Sequence, residues 1–387
     1  MRVRLAEFLR HVRRVATLGV PPWLAAACSG VVVVVALLRG FSREVHPYAL
    51  SQYQYTYEHG FLIRGLPGEL ARHACGRSFD CLARFVDVVG TCSVIAFALV
   101  LWLGVQLRTR MAPAANLTLA ALGSGPLLVE IGATRGYHDA LTLALGLGAY
   151  FAFAKRRFVA CVLLFGLGLL VHELVAVYAL PLFALPLLAS WKERALVLRQ
   201  VTVVLVLAGT AVAVVKLGHA NHAQQRQIAS RLAESESLGR RWRQYRSAGI
   251  AAARTPPGTL NPARLGQLGR PVIGRYLAPL VGALLLVLIL LVARRQALWF
   301  PLYATVLVAP LSVLLVAWDV ERLLSLAGVT ALFVCLAVEE RCEIRRAPLY
   351  ALVGTLLVAA LGLRTHYNVA GRYAYNGTLL GPERHRR

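Results

Sequence analysis

The residues best able to do chemistry are gathered in one short polar stretch. From Tyr53 to Gly68 the chain reads Tyr-Gln-Tyr-Thr-Tyr-Glu-His-Gly-Phe-Leu-Ile-Arg-Gly-Leu-Pro-Gly, which sets Glu58, His59 and Arg64 among tyrosines and three glycines. A carboxylate and an imidazole can move protons, and a guanidinium can grip an anion through its planar fork. Glycines let the backbone turn where other residues resist. The same composition would also suit an aromatic anchor at lipid headgroups.

Further ionisable residues recur at the ends of apolar runs. They are Glu44 and His46, then Arg135, His138 and Asp139, then His172-Glu173, and last Asp319, Glu321 and Arg322. Each has a plain structural explanation by itself. Asp139 would cap a helix start, and Asp319 with Arg322 would form a local ion pair. Glu130 differs, because a carboxylate at membrane depth is costly and marks a functional position. Acid, base and guanidinium groups on four separate connections argue for one shared site.

The elements that must position these groups are membrane spans. Hydrophobic residues make up 58% of the 387-residue chain, and mean hydropathy is +0.62. Apolar runs long enough to cross about 30 Å of hydrocarbon recur along the sequence. The expected fold is all-α: a polytopic transmembrane bundle of about eleven spans, at 21–38, 85–107, 114–133, 138–154, 158–171, 174–190, 201–217, 272–292, 298–317, 323–338 and 347–363. Basic clusters at 108–110, 155–157, 192–199, 294–295 and 341–346 fall on alternate connections. The positive-inside bias then puts the N-terminus inside and the C-terminus outside. That pattern implies a multi-pass membrane protein.

The same orientation divides the chain. Residues 1–20 read as a cytoplasmic amphipathic helix, 21–363 as the transmembrane domain with outer loops at 41–82 and 218–270, and 364–387 as an extracytoplasmic tail. The net charge of +24 sits mostly at span ends, where it meets anionic lipid, which argues against nucleic acid as a partner. Nearly all non-basic ionisable groups near a boundary come out on the outer side. Cys75 and Cys81 flank Gly-Arg-Ser-Phe-Asp in the first outer loop, where their short spacing in an oxidising compartment predicts a disulfide, two free thiols being the alternative. Residues 66–73 suggest a short interfacial helix, and 223–247 a helical stretch in the second outer loop that would serve as a lid or as a connector.

In layout the chain resembles the GT-C class of membrane glycosyltransferases. The likeness rests on a large outer loop after the first span, carrying Glu44 and Glu58, and a second one, 218–270, after the seventh. The segment from Glu58 to Gly68, His172-Glu173 and Asp319-x-x-Arg322 also look like those of bacterial envelope-polysaccharide membrane proteins. The chain departs from some members in lacking an Asp-Asp or Asp-Glu pair after the first span, so the base stays open.

The resemblance implies sugar transfer from a polyprenyl-phosphate-type lipid donor to an envelope glycan or lipid on the outer face. Glu58 or Glu44 would take the acceptor proton, with His172 and Glu173 assisting. Arg64, Arg135 and Arg322 would hold the phosphate, and His59, His138, Asp139 and Asp319 would complete the binding surface. No cofactor is implied, and no spacing demands a divalent metal, although carboxylates leave room for one. The alternatives are an O-antigen or capsule polymerase, a lipid-linked-glycan transporter, and a membrane acyltransferase.

Overall fold

The computed structural model describes residues 21–41, 47–58, 60–62, 64–76, 78–110, 113–123, 126–218, 221–234, 271–315, 320–341, 365–369, 373–377 and 384–385. The described chain from 21 to 341 is helical. Its α-helices are α1 (Pro22–Phe41), α2 (Pro47–Gln52), α3 (Gly65–Cys75), α4 (Phe79–Thr109), α5 (Pro113–Gly123), α6 (Pro126–Ala133) and α7 (Asp139–Ala154). They continue with α8 (Phe158–Val171), α9 (Leu174–Ala189), α10 (Arg194–Leu217), α11 (His222–Glu234), α12 (Pro271–Ala293), α13 (Phe300–Val308) and α14 (Val320–Arg341). In the tail, three short antiparallel strands, Thr365–Val369, Tyr373–Gly377 and Arg384–His385, form a meander.

Among the described residues, four helical segments are long and apolar enough to cross a membrane: Pro22–Phe41, Asp80–Thr109, Arg194–Leu217 and Leu323–Arg341. Five more apolar segments are shorter, among them α7, α8 and α9. At 1.5 Å per residue, α8 with its 14 residues extends only about 21 Å. These nine segments coincide with nine of the eleven expected runs. The run at 347–363 lies outside the described residues, as do residues 1–20 and 235–270.

Two runs need correction. The third is two helices rather than one, because Pro126 lacks an N–H and opens α6 after the glycine at 123 ends α5. The ninth is α-helical only through α13, with 3-10 turns at Ala297–Trp299 and Ala309–Leu315 on either side.

The bundle is apolar outside as well as inside. Val88, Ile95, Leu99, Leu103 and Leu107 form an exposed stripe along α4, and Val159, Leu163 and Leu167 do the same on α8. Such continuous apolar surface marks a face made for lipid or for another apolar partner. Helix α14 is the axis: 94% of its most apolar window is buried, against 17% for α10 at the rim. Inside, Ser29 donates to Asn116 Oδ1 at 2.6 Å, and Asn116 exchanges amide hydrogen bonds with Gln106 at 2.7 and 3.1 Å. Satisfied polar contacts of this kind join helices where apolar burial alone gives no preference.

Helices α1 and α6 cross at Gly40 and Gly132. A Cβ on Gly132 would stand 2.4 Å from the Leu37 carbonyl oxygen, so only glycine permits this approach. Gly166 on α8 has open space instead. We therefore expect Gly132→Ala to cost about 1–3 kcal/mol by overpacking. Gly166→Ala should be neutral or stabilising by up to about 1 kcal/mol from helix propensity. Thermal unfolding of the two variants in detergent checks the contrast, and equal midpoints would refute it.

Candidate functional site

Arg64 is positioned by an unusual backbone. It stands at the N-cap of α3 with φ 65° and ψ 10°, a left-handed conformation that a non-glycine residue adopts at a cost. The preceding chain is pressed against the same helix start. A Cβ on Gly68 would lie 1.9 Å from the Tyr55 carbonyl oxygen, which explains the glycine there. Tyr57 N–H donates to Glu69 Oε2 at 3.0 Å, tying the loop to α3 a second time. At the far end of α3, Cys75 and Cys81 are disulfide-bonded with their Cα atoms 5.4 Å apart. Ser78 then opens α4, its side chain accepting from Cys81 N–H.

From that fixed position Arg64 reaches the turn between α8 and α9. Its Nε donates to both carboxylate oxygens of Glu173, at 3.1 and 2.9 Å, and Nη2 adds a third contact to Oε1. The pair is partly exposed, with 27% of the Arg64 side chain and 22% of Glu173 accessible. Burial raises the Glu173 carboxyl, but the charge and hydrogen bonds of Arg64 overcome it. The net result lies well below the usual carboxylate range. A carboxylate held this way is a poor general base.

His172 is buried beside it and ends α8 in an extended conformation. Its Nδ1 accepts the Leu174 N–H at 3.1 Å and also lies 3.2 Å from Glu173 Oε2. Burial, reinforced by Arg64, lowers the His172 pKa, and Glu173 and Asp139 offset only part of this. The imidazole is therefore neutral in the resting site.

The start of α7 completes the cluster. His138 is the N-cap of that helix and Asp139 lies in its first turn, both buried. A carboxylate here is favoured by the positive end of the helix dipole. The His138 ring packs 4.8 Å from Tyr53 and 6.4 Å from His172, centroid to centroid. Asp139 acts electrostatically on His172. Four segments thus deliver Tyr53, Arg64, His138, Asp139, His172 and Glu173 to one end of the bundle.

Other expected members stand elsewhere. Arg135 is engaged by the fold itself. Its Nε donates to Asp87 at 3.1 Å, its Nη1 to the Phe41 carbonyl at 2.6 Å, and its guanidinium rests 5.3 Å from the Phe41 ring. It fastens the ends of α1 and α4 to the turn before α7. Glu58 is exposed and accepts a hydrogen bond from Gln227 of α11 at 2.7 Å. Glu44, His59 and Asp319 lie outside the described residues. Arg322 belongs to the first turn of α14 by its backbone.

One set of contacts escapes sequence reading altogether. Gln224 of α11 donates to the carbonyls of Gly60 and Phe61 at 3.0 and 3.2 Å, and Gln227 also reaches Thr56. Asn221 and Gln224 exchange hydrogen bonds of 2.9 Å at the start of α11, a reciprocal cap visible as Asn-x-x-Gln. That spacing was the available signal for a helix start, but nothing local said where the helix would dock.

Among the described residues no group of three His, Cys, Asp or Glu side chains is arranged to hold a metal ion. The constellation has an anion-gripping guanidinium, a buried neutral imidazole and a buried carboxylate within one neighbourhood, enough for proton transfer beside a bound phosphate. Comparison with protein-family models, with curated proteins and with solved structures finds no match to this chain.

Proposed function

We propose that the chain is a GT-C-like membrane glycosyltransferase that moves a sugar from a polyprenyl-phosphate-type donor to an envelope glycan or lipid. In this reading it spans a bacterial inner membrane eleven times, with the third span bent at Pro126, the N-terminus inside and the C-terminus outside. The end carrying Arg64 and Glu173 faces the extracytoplasmic side. The observation that carries the reading is the Arg64–Glu173 pair beside buried His172 and Asp139. It couples an anion-binding fork to a proton acceptor at the mouth of an apolar bundle.

The chemistry follows from those positions. Asp139 takes the proton of the attacking acceptor hydroxyl as its oxygen bonds to the anomeric carbon. The bond from that carbon to the phosphate oxygen breaks, and the leaving phosphate keeps the electron pair. Arg64 stabilises the charge that develops there. Tyr53 and His138 form the wall against which the sugar is oriented. Asp139 takes the place of Glu58 as base because it is buried in the cluster, whereas Glu58 is exposed and engaged by Gln227.

The test is donor turnover by the full chain in proteoliposomes, using a panel of polyprenyl-phosphate sugars labelled in the sugar. Release of free polyprenyl phosphate with labelled product is expected, and failure with every donor would overturn the reading. A second reading, lipid-linked-glycan transport, draws on the interrupted third span and the buried Glu130 of α6. It predicts that labelled lipid crosses the bilayer intact.

A further inference from the structure

We propose that Glu173 is an exchangeable stand-in for the donor phosphate on Arg64, and that its release makes donor binding take up a proton at His172 Nδ1. This rests on the phosphate-binding role of Arg64 argued above and adds a device that the reading does not require.

A carboxylate and a phosphodiester each present two acceptor oxygens, so both fit the Nε–Nη2 edge of the guanidinium that Glu173 occupies, and on that edge one excludes the other. Arg64 has little freedom to serve both, because its backbone is fixed in the left-handed region against a helix start. Glu173 sits on a short turn and has a second partner waiting. His172 Nδ1 is 3.1 Å from the Leu174 N–H and 3.2 Å from Glu173 Oε2.

One ring nitrogen cannot serve both neighbours at once. Unprotonated, it accepts from Leu174; protonated, it donates to Glu173. The two hydrogen bonds are alternative states of a single switch. With Glu173 bound to Arg64, the first state holds. Once a phosphate takes Arg64, the displaced carboxylate needs a cation, and the nearest group able to become one is His172.

The charges facing His172 favour this outcome. Arg64 at the α3 start is the cation, and Glu173 on its own turn and Asp139 on α7 are the anions. His138 presents its ring at 6.4 Å, and Tyr53 packs behind His138. Burial is the larger cause of a neutral His172 and the Arg64 charge the second; an anion arriving on Arg64 cancels the second. The proton comes from solvent, and no bond other than hydrogen bonds changes.

The probe is farnesyl methyl phosphate, a diester that does not titrate near neutral pH, so any proton taken up goes to the protein. Calorimetry on the full-length protein in detergent, in buffers of differing ionisation enthalpy, reads that proton directly. We expect uptake approaching one proton per diester near neutral pH, with affinity falling up to tenfold per pH unit as pH rises. His172→Gln and Glu173→Gln should both bind the probe with no proton uptake, the latter at least as tightly as the unaltered protein. Tight binding without uptake in the unaltered protein would refute the exchange and leave the phosphate reading standing. Undiminished uptake in either variant would also refute it. No binding at all would remove both.

Discussion

Arg64→Ala is expected to reduce donor turnover at least a hundredfold, the scale set by losing one preorganised donor to developing charge. Glu173 would then lose its guanidinium partner in a partly buried position. The backbone supplies an internal control. Because Arg64 sits at φ 65°, alanine there retains the cost of a left-handed residue, whereas glycine is free of it. Arg64→Gly should therefore be more stable than Arg64→Ala by about 1 kcal/mol while being equally inactive. Arg64→Lys keeps the charge but not the fork, and should recover only part of the loss. Donor turnover measured beside thermal unfolding separates the two effects. Near-normal turnover in Arg64→Gly would show that the guanidinium is not needed.

The second large effect concerns the base. Asp139→Asn should lower kcat by about a hundred- to ten-thousand-fold, the usual contribution of a positioned proton acceptor, with little change in donor KM. Glu58→Gln should turn over at close to the normal rate, since its carboxylate is exposed and an amide can still accept from Gln227. The pH profile gives an independent check: the limb belonging to the base should vanish in Asp139→Asn and persist in Glu58→Gln. The reverse result would return the base to Glu58, and full activity in both variants would leave this cluster without a proton acceptor.

The sequence was informative where the physics is local. Apolar runs announced nine helical segments, and the Leu66–His73 stretch became the core of α3 with one or two residues added at each end. His172-Glu173 and Asp139 stood out because polar groups interrupting apolar runs are costly unless used. What sequence could not supply was partner choice across the fold. Arg135 and Arg64 are both arginines after an apolar run, yet one binds Asp87 and a carbonyl while the other binds Glu173. That difference depends on which helices meet at each turn. The division of the third apolar run into two helices was written in Gly-Ser-Gly-Pro at 123–126, but the hydropathy of the run concealed it. Gln224 and Gln227 carry no charge and no apolar pattern, so their docking onto the first loop appears only once α11 is in place.

The burial of α14 has a consequence for how the protein is made. Its neighbours include α6, α9, α12 and α13, all earlier in the chain, and the axis of the bundle is therefore synthesised after all four. Until it arrives, the faces those helices turn toward it lack that partner. A chain that stops before Val320 lacks the buried axis on which these helices converge, so it cannot complete the bundle.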